Sequence, residues 1–227
     1  PLVVMPDADV DKAADGAVAL LTTLNGQWCR ALGRLLVPRD RHDEILDAVL
    51  ARLEGLSIGD SLDQSSMMGP IVHSAHLRTL TDRIAELAGH GGKANAPSQL
   101  PTGDLAHGNW LAPTLVTGVD PEHTRSEIFG PVATVHDYGD LEAALAIAND
   151  NPYGLEAYVI GTDEDAAMDL ARKIHAGGVK VNGTSPMSLH LMAPRPAWGI
   201  SGLADEGTVE TIEFFCGTRV VGVEGQY

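Results

Sequence analysis

An open, mostly parallel α/β sheet with helices on both faces is the fold this sequence predicts, and three observations predict it. The second half of the chain alternates strand-like segments over 133–136, 157–160 and 179–181 with helix-like segments over 141–148 and 163–175. Such alternation marks βαβ units, whose crossovers make neighbouring strands run parallel. The runs Leu2-Val3-Val4-Met5 and Arg34-Leu35-Leu36-Val37 are almost wholly apolar, as in strands covered on both faces. Between and after them lie segments with helical apolar spacing that can cover the sheet. At 227 residues the chain fits one substantial core, and residues 1–227 are read as a single domain.

The elements follow in order. Leu2 to Met5 reads as a buried strand closed by Pro6 and Asp7. Asp7 or Asp9 then caps a helix in which Val10, Ala13, Ala14, Ala17, Val18 and Leu21 recur at helical spacing until Asn25-Gly26 stops it. Ile45, Leu46, Val49, Leu50 and Leu53 draw one apolar stripe on a helix over 40–56. Leu77, Leu80, Ile84 and Leu87 do the same over 74–88, ended by His90-Gly91-Gly92. The stretch 93–109 is rich in Gly, Pro, Ser and Asn and reads as a long turn or irregular hairpin inside the domain. The tail offers a helix over about 209–215 and a β-branched strand, 218–224, containing Arg219-Val220-Val221-Gly222-Val223 and suited to a sheet edge.

Charge and composition exclude several classes. Fifteen basic against 31 acidic residues give a formal charge of −16, which disfavours nucleic acid and anionic membrane surfaces as partners. No apolar run approaches the roughly 20 residues that span a bilayer, and Pro1-Leu2-Val3-Val4-Met5 lacks the charged start of a signal peptide, so the cytoplasm is the expected compartment. Because the first residue is proline, Pro1 is not the start of an unprocessed translation product. Cys29 and Cys216 are expected as free thiols, Cys216 in core or interface packing after Phe214-Phe215. His73 and His76 lie one helical turn apart without a third ligand in sequence, so they read as a solvated surface and no metal is expected.

Two motifs carry chemistry. An unpaired cysteine is ordinarily a small buried hydrophobe, but Cys29 ends Gly26-Gln27-Trp28-Cys29, between an alanine-rich helix and the strand beginning at Arg34. Later comes Ser126-Glu127-Ile128-Phe129-Gly130-Pro131-Val132. Together these motifs resemble the aldehyde dehydrogenase superfamily. Four further segments continue the resemblance in order: Leu2 to Asp9, Trp110 to Leu115, Asn149-Asp150-Asn151-Pro152-Tyr153-Gly154-Leu155, and Gly178-Val179-Lys180-Val181-Asn182.

The resemblance implies that the Cys29 thiolate attacks an aldehyde to give a thiohemiacetal, that hydride leaves to NAD or NADP, and that water hydrolyses the thioester. A thiol suits both covalent steps, being a strong nucleophile and a good leaving group. It also implies that Glu127 hydrogen-bonds the nicotinamide ribose, that Phe129 borders the nicotinamide, and that Trp28 lies at the substrate. Asn182 is expected at the substrate mouth, since ligands of open α/β sheets gather beyond the carboxyl ends of the strands.

The family's Glu-Leu-Gly-Gly segment, which holds the general base, would lie immediately upstream of Pro1, and the oxyanion asparagine and dinucleotide platform are likewise not in this sequence. The chain thus resembles the catalytic domain, with a nucleotide-binding domain as an upstream or separate partner. Leu24 stands where the family often has asparagine, Ser126 replaces an acid, and Ala197 to Glu206 is a shortened version of the family's substrate-side loop. Two readings compete with NAD(P)-dependent oxidation. One is cofactor-independent (thio)ester cleavage or acyl transfer by Cys29. The other is a non-catalytic assembly or regulatory domain, a homo-oligomer held by the 218–224 strand.

Overall fold

The computed structural model describes residues 1–185, 187, 189, 192–203 and 206–225. Seven strands form one sheet: β1 (Leu2–Val4), β2 (Arg34–Pro38), β3 (Lys93–Asn95), β4 (Thr114–Thr117), β5 (Val132–Tyr138), β7 (Glu156–Ile160) and β8 (Gly178–Val181). Their order is β3-β4-β5-β2-β1-β7-β8, and every neighbouring pair is parallel except β3 with β4. A separate two-stranded ribbon pairs β6 (Tyr153–Gly154) with β9 (Trp198–Gly199).

Helices cover both faces. On one, α1 (Val10–Thr22) and α2 (His42–Glu54) bury Ala13, Ala17, Leu20, Leu21, Ile45, Val49 and Leu53 against Leu2, Val4, Leu35, Val37, Val135 and Ile160. Each fully buried Leu, Ile or Val on this stripe contributes about 1.5–3 kcal/mol. On the other face, α4 (Leu141–Asn149) and α5 (Glu164–Ala171) cover Val3, Leu36, Ala157 and Val159, while α3 (Ser74–Gly89) lays Leu87 on Val116 and Val132. Odd and even strand positions part to opposite faces, so the continuous apolar runs are the sequence image of this double cover.

The caps resolve the choices the sequence left open. Asp9 caps α1, its Oδ1 accepting from the Lys12 N–H at 2.9 Å. Asp7 instead accepts from the Asp163 N–H at 2.6 Å, tying the end of β1 to the start of α5. The expected irregular hairpin over 93–109 begins with β3, which pairs antiparallel with β4 through Lys93↔Thr117 and Asn95↔Leu115. The second-half helix is shorter than the expected 163–175. Asn149 accepts from the His175 N–H at 2.8 Å and donates to the Lys173 carbonyl at 3.1 Å, drawing that stretch off the helix axis toward α4.

At the C-terminus α6 (Thr208–Phe215) exposes Val209, Ile212, Phe214 and Phe215. Cys216 is exposed as well, so it does not pack in the core of this chain. Residues 217–223 join no sheet among the described residues, and Val220, Val221 and Val223 lie in solvent. The part of the shortened loop at 204–205 lies outside the described residues. No helix among the described residues is long and apolar enough to cross a membrane.

Candidate active site

The chain leaves α1 through a turn in which Leu24, Asn25 and Gly26 have φ of 50°, 59° and 66°. That left-handed run reverses direction within three residues, a conformation costly for the leucine and natural for asparagine and glycine. Gly26 has no alternative: a Cβ there would stand 2.5 Å from the Pro131 backbone nitrogen. Asn25 latches the turn to a distant segment, accepting from the Gly69 N–H at 2.8 Å and donating to the Pro70 carbonyl at 3.2 Å. Gln27 adds a third tie by accepting from the Val72 N–H at 2.9 Å. Each residue of the Asn-Gly-Gln run thus has a structural task, and Cys29 follows on a fixed support.

Cys29 is exposed and lines a groove of about 290 Å³ together with Trp28, Arg30, Glu127, Ile128 and Tyr153. The groove sits where β1, β2 and β7 begin, because Pro1, Arg34 and Glu156 also border it. Trp28 packs on the α1/α2 core, and its buried indole Nε1 finds no acceptor among the described residues.

Glu127 reaches the groove from the loop before β5, where its backbone N–H donates to the Tyr153 hydroxyl at 3.4 Å. Although the residue is exposed overall, the groove wall removes enough water to push its carboxyl above the usual carboxylate range. Phe129 lies two residues on, 41% exposed, and lines a second, more open hollow with Leu24, Gln27, Val72, His73 and His76. His76 Nε2 sits 2.6 Å from the Phe129 carbonyl and donates to it, and the two rings stand 6.4 Å apart. Gly130 lets this loop close on α3, since a Cβ there would meet Leu80 at 2.6 Å.

The two motifs are therefore neighbours, joined back to back at Gly26 and Pro131. The aldehyde dehydrogenase family model matches residues 1–221. This chain belongs to the aldehyde dehydrogenase family. Among curated relatives, the geranial dehydrogenase of Castellaniella defragrans is 35% identical over 214 residues, covering 92% of this chain and 43% of that protein. The non-phosphorylating aspartate-semialdehyde dehydrogenase of Halomonas elongata is 33% identical over 223 residues, 96% of this chain and 44% of its own. Among solved structures, betaine aldehyde dehydrogenase from Staphylococcus aureus in complex with NAD+ superposes with a TM-score of 0.89 at 28% identity, covering 95% of this chain and 43% of that one. HpcC from Thermus thermophilus gives the same TM-score at 30% identity, with 100% of this chain and 46% of its own covered. The chain spans about two-fifths of the length of the relatives it matches.

Of the site residues that the sequence offers, Cys29, Trp28 and Glu127 share one groove and Phe129 faces the adjoining hollow. Asn182 joins neither. It follows β8 at the carboxyl end of the sheet, whereas Cys29 precedes β2 at the amino end. There Asn182 adopts φ 56° and accepts from the Gly161 N–H at 3.0 Å, closing the turn after β7. The fold also brings in residues that no local motif marks. His76, read as a solvated surface, supports Phe129, and Tyr153 and Arg30 line the groove. His76 carries no local signal of this task, because its partner arrives through tertiary packing.

Proposed function

We propose that this chain is the catalytic part of an NAD(P)-dependent aldehyde dehydrogenase that oxidises a small-molecule aldehyde to the carboxylic acid. The observation that carries this reading is the Gly26–Pro131 contact, which sets the cysteine loop and the Glu127 loop around one groove. Cys29 attacks the aldehyde carbon, forming a C–S bond as the carbonyl becomes a thiohemiacetal oxyanion. A bound NAD(P)+ supplies the hydride acceptor. Collapse of the oxyanion would break the C–H bond, the hydrogen leaving as hydride, and leave a thioester on Cys29, whose C–S bond water cleaves to release the acid and the thiol.

The groove fits such a cofactor by the chemistry of its donor set. Glu127 presents a carboxylate that accepts two hydrogen bonds from a vicinal diol, and Phe129 presents an exposed ring face in the adjoining hollow. The general base, the oxyanion donor and the dinucleotide platform come from a nucleotide-binding part, upstream or separate, which the greater length of the relatives supports. Exposed Val220, Val221 and Val223, on a β-branched segment that joins no sheet among the described residues, support pairing with a second copy.

The test is NAD(P)H formation across a panel of aldehydes by the complete protein and by Cys29→Ala. Silence of the complete protein across the panel would remove the dehydrogenase reading. The exposure of Cys29 favours one second reading, acyl transfer without cofactor. An activated ester would then leave an acyl adduct on Cys29, visible by mass spectrometry and missing from Cys29→Ala.

A further inference from the structure

Glu156, at the start of β7, has a side chain 5% exposed and pairs with two cations at once. Arg30 Nε lies 2.6 Å from its Oε2 and Lys180 Nζ 2.9 Å from its Oε1. The two cations are themselves only 16% and 6% exposed, so the three charges stand almost free of water. Burying them is unfavourable unless each is fully paired and hydrogen-bonded. Lys180 Nζ completes its set by donating to the carbonyls of Ser185 at 2.7 Å and Met187 at 2.9 Å, and lies 5.8 Å from the centre of the Tyr158 ring. The Tyr158 hydroxyl in turn donates to the Arg30 carbonyl at 3.2 Å. The residue next to the nucleophile is thus gripped twice from β7, by its guanidinium and by its carbonyl. The same carboxylate, through Lys180, grips the chain after β8.

We propose that Glu156 is a positioning residue for Cys29, the shared carboxylate that locks the nucleophile's loop to the segment holding Ser185 and Met187. The proposal rests on Cys29 being the nucleophile. The sheet does not need this triad, since β7 is held to β1 and β8 by backbone pairing. What the triad fixes is chain outside the strands: the Cys29 loop, which lines the groove, and the backbone carbonyls of Ser185 and Met187. Covalent attack depends strongly on sub-ångström placement of the thiol, so a looser loop lowers turnover more than substrate affinity.

Hydrogen exchange of the complete protein tests this without any aldehyde. In Glu156→Gln, amides over 28–33 and around Ser185 are expected to exchange at least tenfold faster, while α1 and α2 keep wild-type rates. Aldehyde oxidation should fall at least tenfold in kcat with KM within twofold, and Glu156→Asp should recover part of it. If Glu156→Gln does not fold, Lys180→Met keeps a neutral Arg30–Glu156 pair and cuts only the hook to Ser185 and Met187. Faster exchange around Ser185 accompanied by faster exchange over 28–33 supports the coupling. Wild-type exchange over 28–33 in either folded variant overturns it. A wild-type protein that oxidises no aldehyde would sink the dehydrogenase reading, while the exchange data would still decide the role of Glu156.

Discussion

Gly26 rests against Pro131 with no room for a side chain: a Cβ would stand 2.5 Å from the proline nitrogen, at a backbone φ of 66°. The contact joins the cysteine motif to the Glu-x-Phe-Gly-Pro motif. Gly26→Ala meets both the steric clash and the left-handed backbone, which together cost about 1–3 kcal/mol. We expect a lower urea midpoint and at least a tenfold loss of turnover. A variant as stable and active as wild type would show that the contact does not matter.

Cys29→Ala should behave in the opposite way. The residue is exposed, so stability changes by no more than about 0.5 kcal/mol, while aldehyde oxidation drops to background. Cys216→Ala, also at an exposed thiol, should leave the rate unchanged. Thermal melts beside a steady-state assay separate the two, and residual turnover in Cys29→Ala would move the nucleophile elsewhere.

Glu127→Gln should raise the KM for NAD(P)+ at least tenfold, a loss of about 1.4 kcal/mol of binding, with a smaller effect on kcat. Burial raises the wild-type carboxyl above its ordinary value. Its protonated form therefore appears at a higher pH than for a free glutamate, and cofactor binding should weaken on acidification earlier than an ordinary carboxylate would predict. The variant should lose that pH dependence. An acid limb of equal size in both proteins would assign it to another group.

His136 sets an acid limit on stability. It is 5% exposed on β5, with Nε2 2.9 Å from the Thr134 hydroxyl and 3.3 Å from that of Thr124. Burial first, and then the positive charge of Arg34, lower its pKa from 6.5 to about 4. The unfolded chain takes up a proton as pH falls through about 6.5, whereas the folded chain resists until about 4. Stability is therefore undiminished above that window and declines through it, by up to about 3 kcal/mol. His136→Gln should flatten the urea midpoint between pH 6.5 and 4, and an unchanged slope would place the limit in other groups.

Removal of the chain from Arg219 onward tests assembly. Val220, Val221 and Val223 are exposed in a segment unpaired among the described residues, and an open β-branched edge invites pairing. Sedimentation should show an oligomer for the intact protein and a smaller species for the truncated one. A monomer in both cases would end the assembly reading.

The sheet was legible because buried parallel strands write themselves as continuous apolar runs, and the helices because Ile45, Val49 and Leu53 keep helical spacing. The early end of α5 was not, because Asn149 enforces it from another helix. Cys29, Glu127 and Phe129 could be proposed from local motifs, and the fold brings their two loops together. The rule about carboxyl ends of strands led to Asn182, which lies after β8, whereas Cys29 lies before β2 at the amino end and its groove is lined without Asn182. Arg30, Glu156 and Lys180 sit in three separate stretches of sequence, and only the β7–β8 pairing and the loop folded onto it turn them into neighbours.

The β2–β5 pairing, with Arg34 opposite Thr134, acts as the ruler of the groove. Cys29 stands a few residues before one strand and Glu127 a few before the other, so the separation of thiol and carboxylate is read off from strand alignment. A shift of a single residue would slide one against the other by about 3.3 Å, and it would also turn Val135 out of the core it shares with Leu35 and Val37. Misalignment of the two loops is therefore penalised by the hydrophobic core itself, and the spacing of Cys29 and Glu127 is inherited from the energetics of folding.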